Sequence, residues 1–382
     1  MARRGTGALA AAFLNTAPQP RLDVPPVGKV VEAVGGPGAL LLDLPDQPVA
    51  RVPERPLLRL PPGIYYDVNE ASYHADCAIE PSLSAGFGKL MLENSPDRAR
   101  ASHPRLNPGA PHFAPTAAMD EGSVLHRLLT GSGPEIAVVQ ADSWRTKDAK
   151  AERDVARMMG RVPILAHRME ALEGIAEVAR GLLLDDPENR QALSDEYASE
   201  VTCIARMPTG AMCRIRPDRL HKTDESAPVY DFKFSQKLDH PTEWDRTIAN
   251  SAWDMRAAFY GRVLSELRDG SEPPYRYVVF QTEPPVDMMI FELTDSFLKQ
   301  GHMKAGLVIN AWERCIAADH WPQYPRRTFY VEEPGWAERK LRDMTLFFEQ
   351  MIPRAKSLPP DPGTLRDFAL KQPAADLPSP LE

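Results

Sequence analysis

The sequence has few cysteines, no long apolar run and no excess of basic charge. Its four cysteines, at 77, 203, 213 and 315, include no Cys-x-x-Cys pair. Paired-thiolate zinc or iron–sulfur sites are therefore not expected, whereas buried reduced thiols are. No apolar stretch approaches the roughly 20 residues a helix needs to span a bilayer, so no membrane association is expected. Ala8–Leu14 follows Arg3-Arg4 but is short and alanine-based, and the expected location is the cytoplasm. A formal net charge of −8 argues against a surface coated in cations. It does not exclude a nucleic-acid partner, because such binding needs phosphates neutralised only locally. A confined basic groove would suffice.

What the chain has in abundance is proline, 38 in 382 residues, concentrated near the ends. Residues 1–62 hold eleven of them without sustained periodicity, and the expectation is a partly extended or disordered segment. A similar tail is expected over 357–382, leaving a folded body at 63–356. Within it, strands are expected at 63–66, 199–207, 211–215, 229–234, 275–281 and 288–293. Helices are expected at 85–93, 118–129, 147–159, 163–184, 242–267, 296–318 and 336–351. Pro208-Thr209-Gly210 reads as a hairpin turn. This order gives an α/β fold, a central mixed sheet of about five strands flanked by helices in αβββαβ order.

The chemistry concentrates in Asp218, Asp231 and Lys233. Side chains alternate along a strand, so Asp231 and Lys233 share one face of PVYDFKFS while Phe232 turns into the core. Two carboxylates converging from adjacent strands make a hard-oxygen site suited to magnesium. A lysine beside it can orient an attacking water. A charged pair inside an apolar strand is costly unless paired or metal-bound; a plain structural salt bridge is the alternative. Asp218 after Pro217 also fits a turn, and Glu200 also fits a surface strand end. His126 shares a helix with Gly122, which would let that helix approach another element closely and aim the imidazole inward. Arg256 and Tyr260, four residues apart, share a helix face and are expected either to meet a phosphate or to pack on the sheet. Lys147, Lys150, Arg153 and Arg157 recur at helical spacing among acids, a solvated face or a segment that guides DNA.

Taken in order, PGIYYDVNEASYH, PSLSAGFGKLMLENSP, EGSVLHRLL, SEVT, CRIRPDRL, YDFKFS and RAAFY resemble the RecE-type exonucleases. These are exodeoxyribonuclease VIII and its phage and prophage relatives, within the PD-(D/E)xK nuclease superfamily. The likeness runs over about 62–340, and WAERKLRDM is similar, more faintly, to the family's closing segment. It implies a metal site of His126, Glu200, Asp218, Asp231 and the backbone carbonyl of Phe232, with Lys233 as catalytic lysine. It implies Mg2+, replaceable by Mn2+, in a two-metal mechanism, and DNA contacts from Arg256 and Tyr260. Arg256 stands where the family has glutamine, which bears on substrate preference. The implied activity is 5′-to-3′ digestion of linear double-stranded DNA, leaving 3′ overhangs for a single-strand annealing protein. A tetrameric ring is the implied assembly. Two alternatives are a RecB-like nuclease acting on single strands or flaps, and a non-cleaving DNA-binding recombination protein that keeps the fold.

Overall fold

The structure is a computed structural model and describes residues 58–110, 115–268, 270–334, 339 and 341–346. The expectations for residues 1–57 and for the tail over 357–382 lie outside the described residues. So does most of the helix expected at 336–351, of which residues 339 and 341–346 are described and helical. Leu60 is tied to the body, its amide donating to the Cys77 carbonyl (2.7 Å) and its carbonyl accepting from the Ile79 amide (2.8 Å).

Gly63–Tyr65 forms β1, and Asn69 caps the short helix Glu70–His74 (α1) by accepting from the Ser72 amide at 2.8 Å. Leu83–Ser84 (β2) leads into Ala85–Glu93 (α2), capped by Ser84, and then Pro96–Ser102 (α3). Thr116 caps Ala117–Thr130 (α4), which Gly131 closes at φ 71°. Ile136–Val139 (β3), Lys147–Met158 (α5), Val162–Leu165 (β4) and Ala166–Asp185 (α6) follow. The strand region comprises Tyr197–Ser199 (β5), Thr202–Arg206 (β6), Met212–Ile215 (β7), Arg219–His221 (β8) and Val229–Ser235 (β9). Trp244–Asn250 (α7), Trp253–Leu267 (α8), Tyr275–Gln281 (β10), Met288–Glu292 (β11) and Asp295–Ala318 (α9) complete the body.

Two of these elements correct the sequence reading. The helix expected from Pro163 begins at Ala166, because Val162–Leu165 pairs in parallel with Ile136–Val139 as a strand. Periodicity alone does not separate a short apolar run in a buried strand from a helix turn. The long helix expected at 242–267 is broken at Ala252, which sits at φ 55°, and the Trp244 and Trp253 rings pack 5.9 Å apart across the break.

One sheet is five-stranded and mixed, in the order β11-β10-β9-β8-β5, with β9 and β10 parallel. A second has the order β1-β6-β7-β2. The two are joined by one long bent hairpin. Tyr197 faces His221 in the first sheet and Cys203 faces Ile215 in the second, so one register runs through the bend. That register sets Glu200 opposite Asp218, and the Glu200 amide donates to the Asp218 carbonyl at 3.1 Å. Glu200 takes φ 54°, where the arm leaves one sheet for the other.

β9 lies inside the larger sheet, with Tyr230, Asp231 and Phe232 all at 1% exposure or less. Tyr230 and Phe232 pack with Leu129, Ala179 and Leu183 of α4 and α6. On the other face, Tyr275, Tyr277 and Val279 pack with Met255, Phe259 and Tyr260 of α8. α9 lies close against α8, because a Cβ on Gly301 would fall 2.1 Å from the Asp254 carbonyl oxygen.

A buried polar hub ties the N-terminal part to β7. Arg214 donates to the Ser82 carbonyl (2.6 Å) and hydroxyl (2.8 Å) and pairs with Asp76 at 3.1 Å. His103, fully buried, lies 3.2 Å from the Ser82 carbonyl and 3.4 Å from Asp76. Burial, opposed by Asp76, lowers the imidazole pKa to about 4. In an unfolded chain histidine titrates near about 6.5, so the unfolded state takes up the proton first. This histidine's contribution is thus complete above about pH 6.5, declines as pH falls, and is lost by about pH 4. About 3 kcal/mol is involved, and urea midpoints measured from pH 7 to pH 4 should fall less steeply in His103→Gln.

Candidate active site

The bend of the long hairpin, the central strand β9 and helix α4 bring the site together. His126, Glu200 and Asp218 each offer a ligand atom, and these atoms all lie within 4.8 Å of one another. His126 comes from α4, its ring edge-on to Phe234 with centroids 5.1 Å apart. The close approach expected from Gly122 is not what places it, since a Cβ there would meet nothing within 4 Å. Packing on the phenylalanines of β9 aims the imidazole instead.

Asp218 is fixed by the neighbouring strand, as its Oδ2 accepts from the Phe232 amide at 2.7 Å. His126 Nδ1 stands 3.7 Å from the same oxygen, beyond hydrogen-bond reach. Burial raises the Asp218 carboxyl to about 6; His126 opposes the rise and Asp231 adds to it. Glu200 is held through Oε2 by Arg216 Nε at 2.6 Å. The same guanidinium donates to Thr202 Oγ1 (2.9 Å) and to the Val68 carbonyl (2.8 Å).

Asp231 lies outside the three-residue group. Its carboxylate forms an ion pair with Lys233, accepts from the Tyr275 hydroxyl at 3.1 Å and stands 3.8 Å from Arg256 Nη1. Burial would raise its pKa, but Lys233 and Arg256 together outweigh that and hold it below the usual carboxylate range. Lys233 Nζ also lies 3.4 Å from the Phe232 carbonyl, so lysine, aspartate and carbonyl meet at one point on β9. Arg256 keeps 35% of its side chain exposed. Tyr260, expected to meet DNA beside it, is 4% exposed and donates its hydroxyl to the Arg216 carbonyl at 3.3 Å. It braces the arm carrying Asp218, because α8 packs its aromatic face on that arm. Arg153 pairs with Asp154, and Arg157 with Asp120. Those two basic residues of α5 serve local ion pairs.

The donor set fits a hard divalent cation. His126 Nδ1 is buried without a hydrogen-bond partner, as is Asp231 Oδ2 apart from its ion pair with Lys233. An imidazole nitrogen, carboxylates and a backbone carbonyl are ligands suited to magnesium or manganese. The four cysteines are buried and free. Arg216, Tyr275 and Glu70 are site neighbours that the sequence reading missed. Glu70 is held ionised first by His74 and also feels Arg216 and His126. Arg216 carried a signal, as it lies two residues before Asp218 on one arm. Tyr275 carried none, because its place depends on the parallel pairing of β10 with β9.

A mixed sheet whose central strand carries Asp-x-Lys, beside a bent acidic hairpin and under flanking helices, is the core of the PD-(D/E)xK nuclease superfamily. Residues 92–334 match the family described as a PDDEXK-like domain of unknown function (DUF3799), and the chain belongs to that family. Among solved structures it is similar to one from Eubacterium rectale described as "Putative exonuclease". The identity is 14% over 70% of this chain and 95% of that one, with a TM-score of 0.46. No curated protein matches.

Proposed function

We propose that the protein is a divalent-metal-dependent exonuclease that hydrolyses phosphodiesters in linear double-stranded DNA. The observation that carries this reading is the meeting of Asp231, Lys233 and the Phe232 carbonyl on β9, next to the group of His126, Glu200 and Asp218. His126, Glu200, Asp218, Asp231 and the Phe232 carbonyl would hold the metal. A bound magnesium or manganese ion supplies Lewis acidity, making its water a nucleophile and screening charge on phosphorus. Lys233 donates hydrogen bonds that orient the attacking water and offset the negative charge growing on the phosphoryl oxygens. Arg256, partly exposed beside it, would take a phosphate oxygen with its guanidinium, a reading that its 35% side-chain exposure supports. Arg216 keeps one oxygen of Glu200 occupied and leaves the other free to bind.

The resemblance to RecE-type enzymes supports 5′-to-3′ polarity, with 3′ overhangs passed to an annealing protein. The test uses a linear duplex labelled at the 5′ or the 3′ end in parallel reactions with magnesium. Mononucleotides should carry off the 5′ label first, a closed circle should stay intact, and chelation by EDTA should stop release entirely. Release of neither label with magnesium or manganese would overturn the reading. Loss of the 3′ label first would overturn the polarity alone.

A further inference from the structure

Tyr66, Ser132, Ala198, Ser199 and Lys222 line an open cleft of about 510 Å³ along the edge strand β5. We propose that this cleft binds one unpaired base of the DNA strand entering the metal site, stacked on Tyr66. The inference rests on the nuclease reading above and adds a substrate requirement, a strand end opened before cleavage.

The cleft is tied to the site by the chain itself. Ser199 directly precedes Glu200, so their Cα atoms are about 3.8 Å apart. Tyr66 stands two residues before Val68, whose carbonyl holds the Arg216 that grips Glu200. Ser132 follows α4, the helix that carries His126, and its carbonyl accepts from the Thr130 hydroxyl at 3.3 Å. A strand held with one phosphate at the metal site would have this opening within reach.

The lining matches a base better than a phosphate. Tyr66 is half exposed and offers an aromatic face to any base. The Ser132 and Ser199 hydroxyls and the Lys222 ammonium supply hydrogen bonds for a polar edge. Of the five lining residues only Lys222 is a cation, and it already donates to the Asp195 carbonyl at 2.6 Å. The Arg219 guanidinium behind Ser199 donates to the Ser199 hydroxyl at 2.5 Å and is 5% exposed, so it is covered from the cleft. Glu196, whose carbonyl accepts from the Lys222 amide, stands beside the lining with a carboxylate that is 73% exposed and 3.8 Å from His221 Nε2. A phosphate would meet too little positive charge here.

The test uses the full-length protein in calcium with a fluorescent single-stranded oligonucleotide carrying 2-aminopurine near its 5′ end. Binding should quench the 2-aminopurine. Tyr66→Ala should weaken Kd by about 5- to 150-fold, the range that loss of one stacked base produces, while Tyr66→Phe stays near the parent. An oligonucleotide with one abasic position, bound to the parent protein, should show the same loss at a single register and not at the others. That arm needs no variant to fold. Unchanged affinity in Tyr66→Ala, or indifference to the abasic position, would overturn the cleft while digestion of linear duplex left the nuclease reading intact. A parent protein that neither binds the strand nor cuts linear DNA would overturn both.

Discussion

Asp231→Asn should reduce cleavage of linear duplex DNA by about three to four orders of magnitude, or roughly 4–5.5 kcal/mol of barrier. The asparagine keeps the shape and removes the charge, so the loss reports on the charge. Asp231 is 1% exposed and faces two cations, Lys233 and Arg256, which already hold it ionised. Neutralising it has two consequences. A hard cation loses a charged ligand, and Lys233 loses the anion that fixes its ammonium beside the Phe232 carbonyl. Calorimetry should show the heat of manganese binding greatly reduced, and circular dichroism should show a folded protein. Digestion at the parent rate by a folded Asp231→Asn protein would end the assignment of this carboxylate.

The part of this site that lies on one strand was legible from sequence. A carboxylate and a lysine in an apolar run cannot both be buried without partners, and alternation puts them on one side. β9 runs from Val229 to Ser235, matching the expected strand to within a residue. Glycine also marked the hairpin turn, where Gly210 takes φ 100°. What was not legible depends on pairing between distant segments. Nothing local says that Tyr275 would set its hydroxyl on Asp231, since that needs β10 laid parallel to β9 across the intervening α7 and α8. The bend that brings Glu200 against Asp218 is likewise a property of two arms in register. Val162–Leu165 misled for another reason: four residues contain too little periodicity to distinguish strand from helix. Tyr260 shows that residues sharing a helix face can differ in exposure, because the sheet covers one and leaves the other open.

The second large effect should come from Asp76, remote in sequence from Glu200, Asp218 and Asp231. Asp76→Ala is expected to lower stability by about 3–5 kcal/mol, the cost of leaving a buried cation without its partner. The carboxylate accepts from the Ser82 amide (2.9 Å) and hydroxyl (2.5 Å) and pairs with Arg214, itself 2% exposed. Asp76 also sits at φ 64°, a conformation that costs alanine roughly 1–2 kcal/mol. Glycine at 76 would avoid that strain and still lack the carboxylate. Urea unfolding of the two variants therefore separates the terms: their difference gives the backbone cost, and the loss common to both gives the stranded Arg214. Asp76→Asn should fall between the parent and glycine, keeping the turn and part of the hydrogen bonding. The effect should extend to the metal site, because Arg214 lies two residues before Arg216 on the arm that carries Asp218. Weaker manganese binding in the folded glycine variant would show that the hub braces that arm. An Asp76→Ala protein within about 1 kcal/mol of the parent would mean that Arg214 finds other partners, and the hub would then not hold this arm in place.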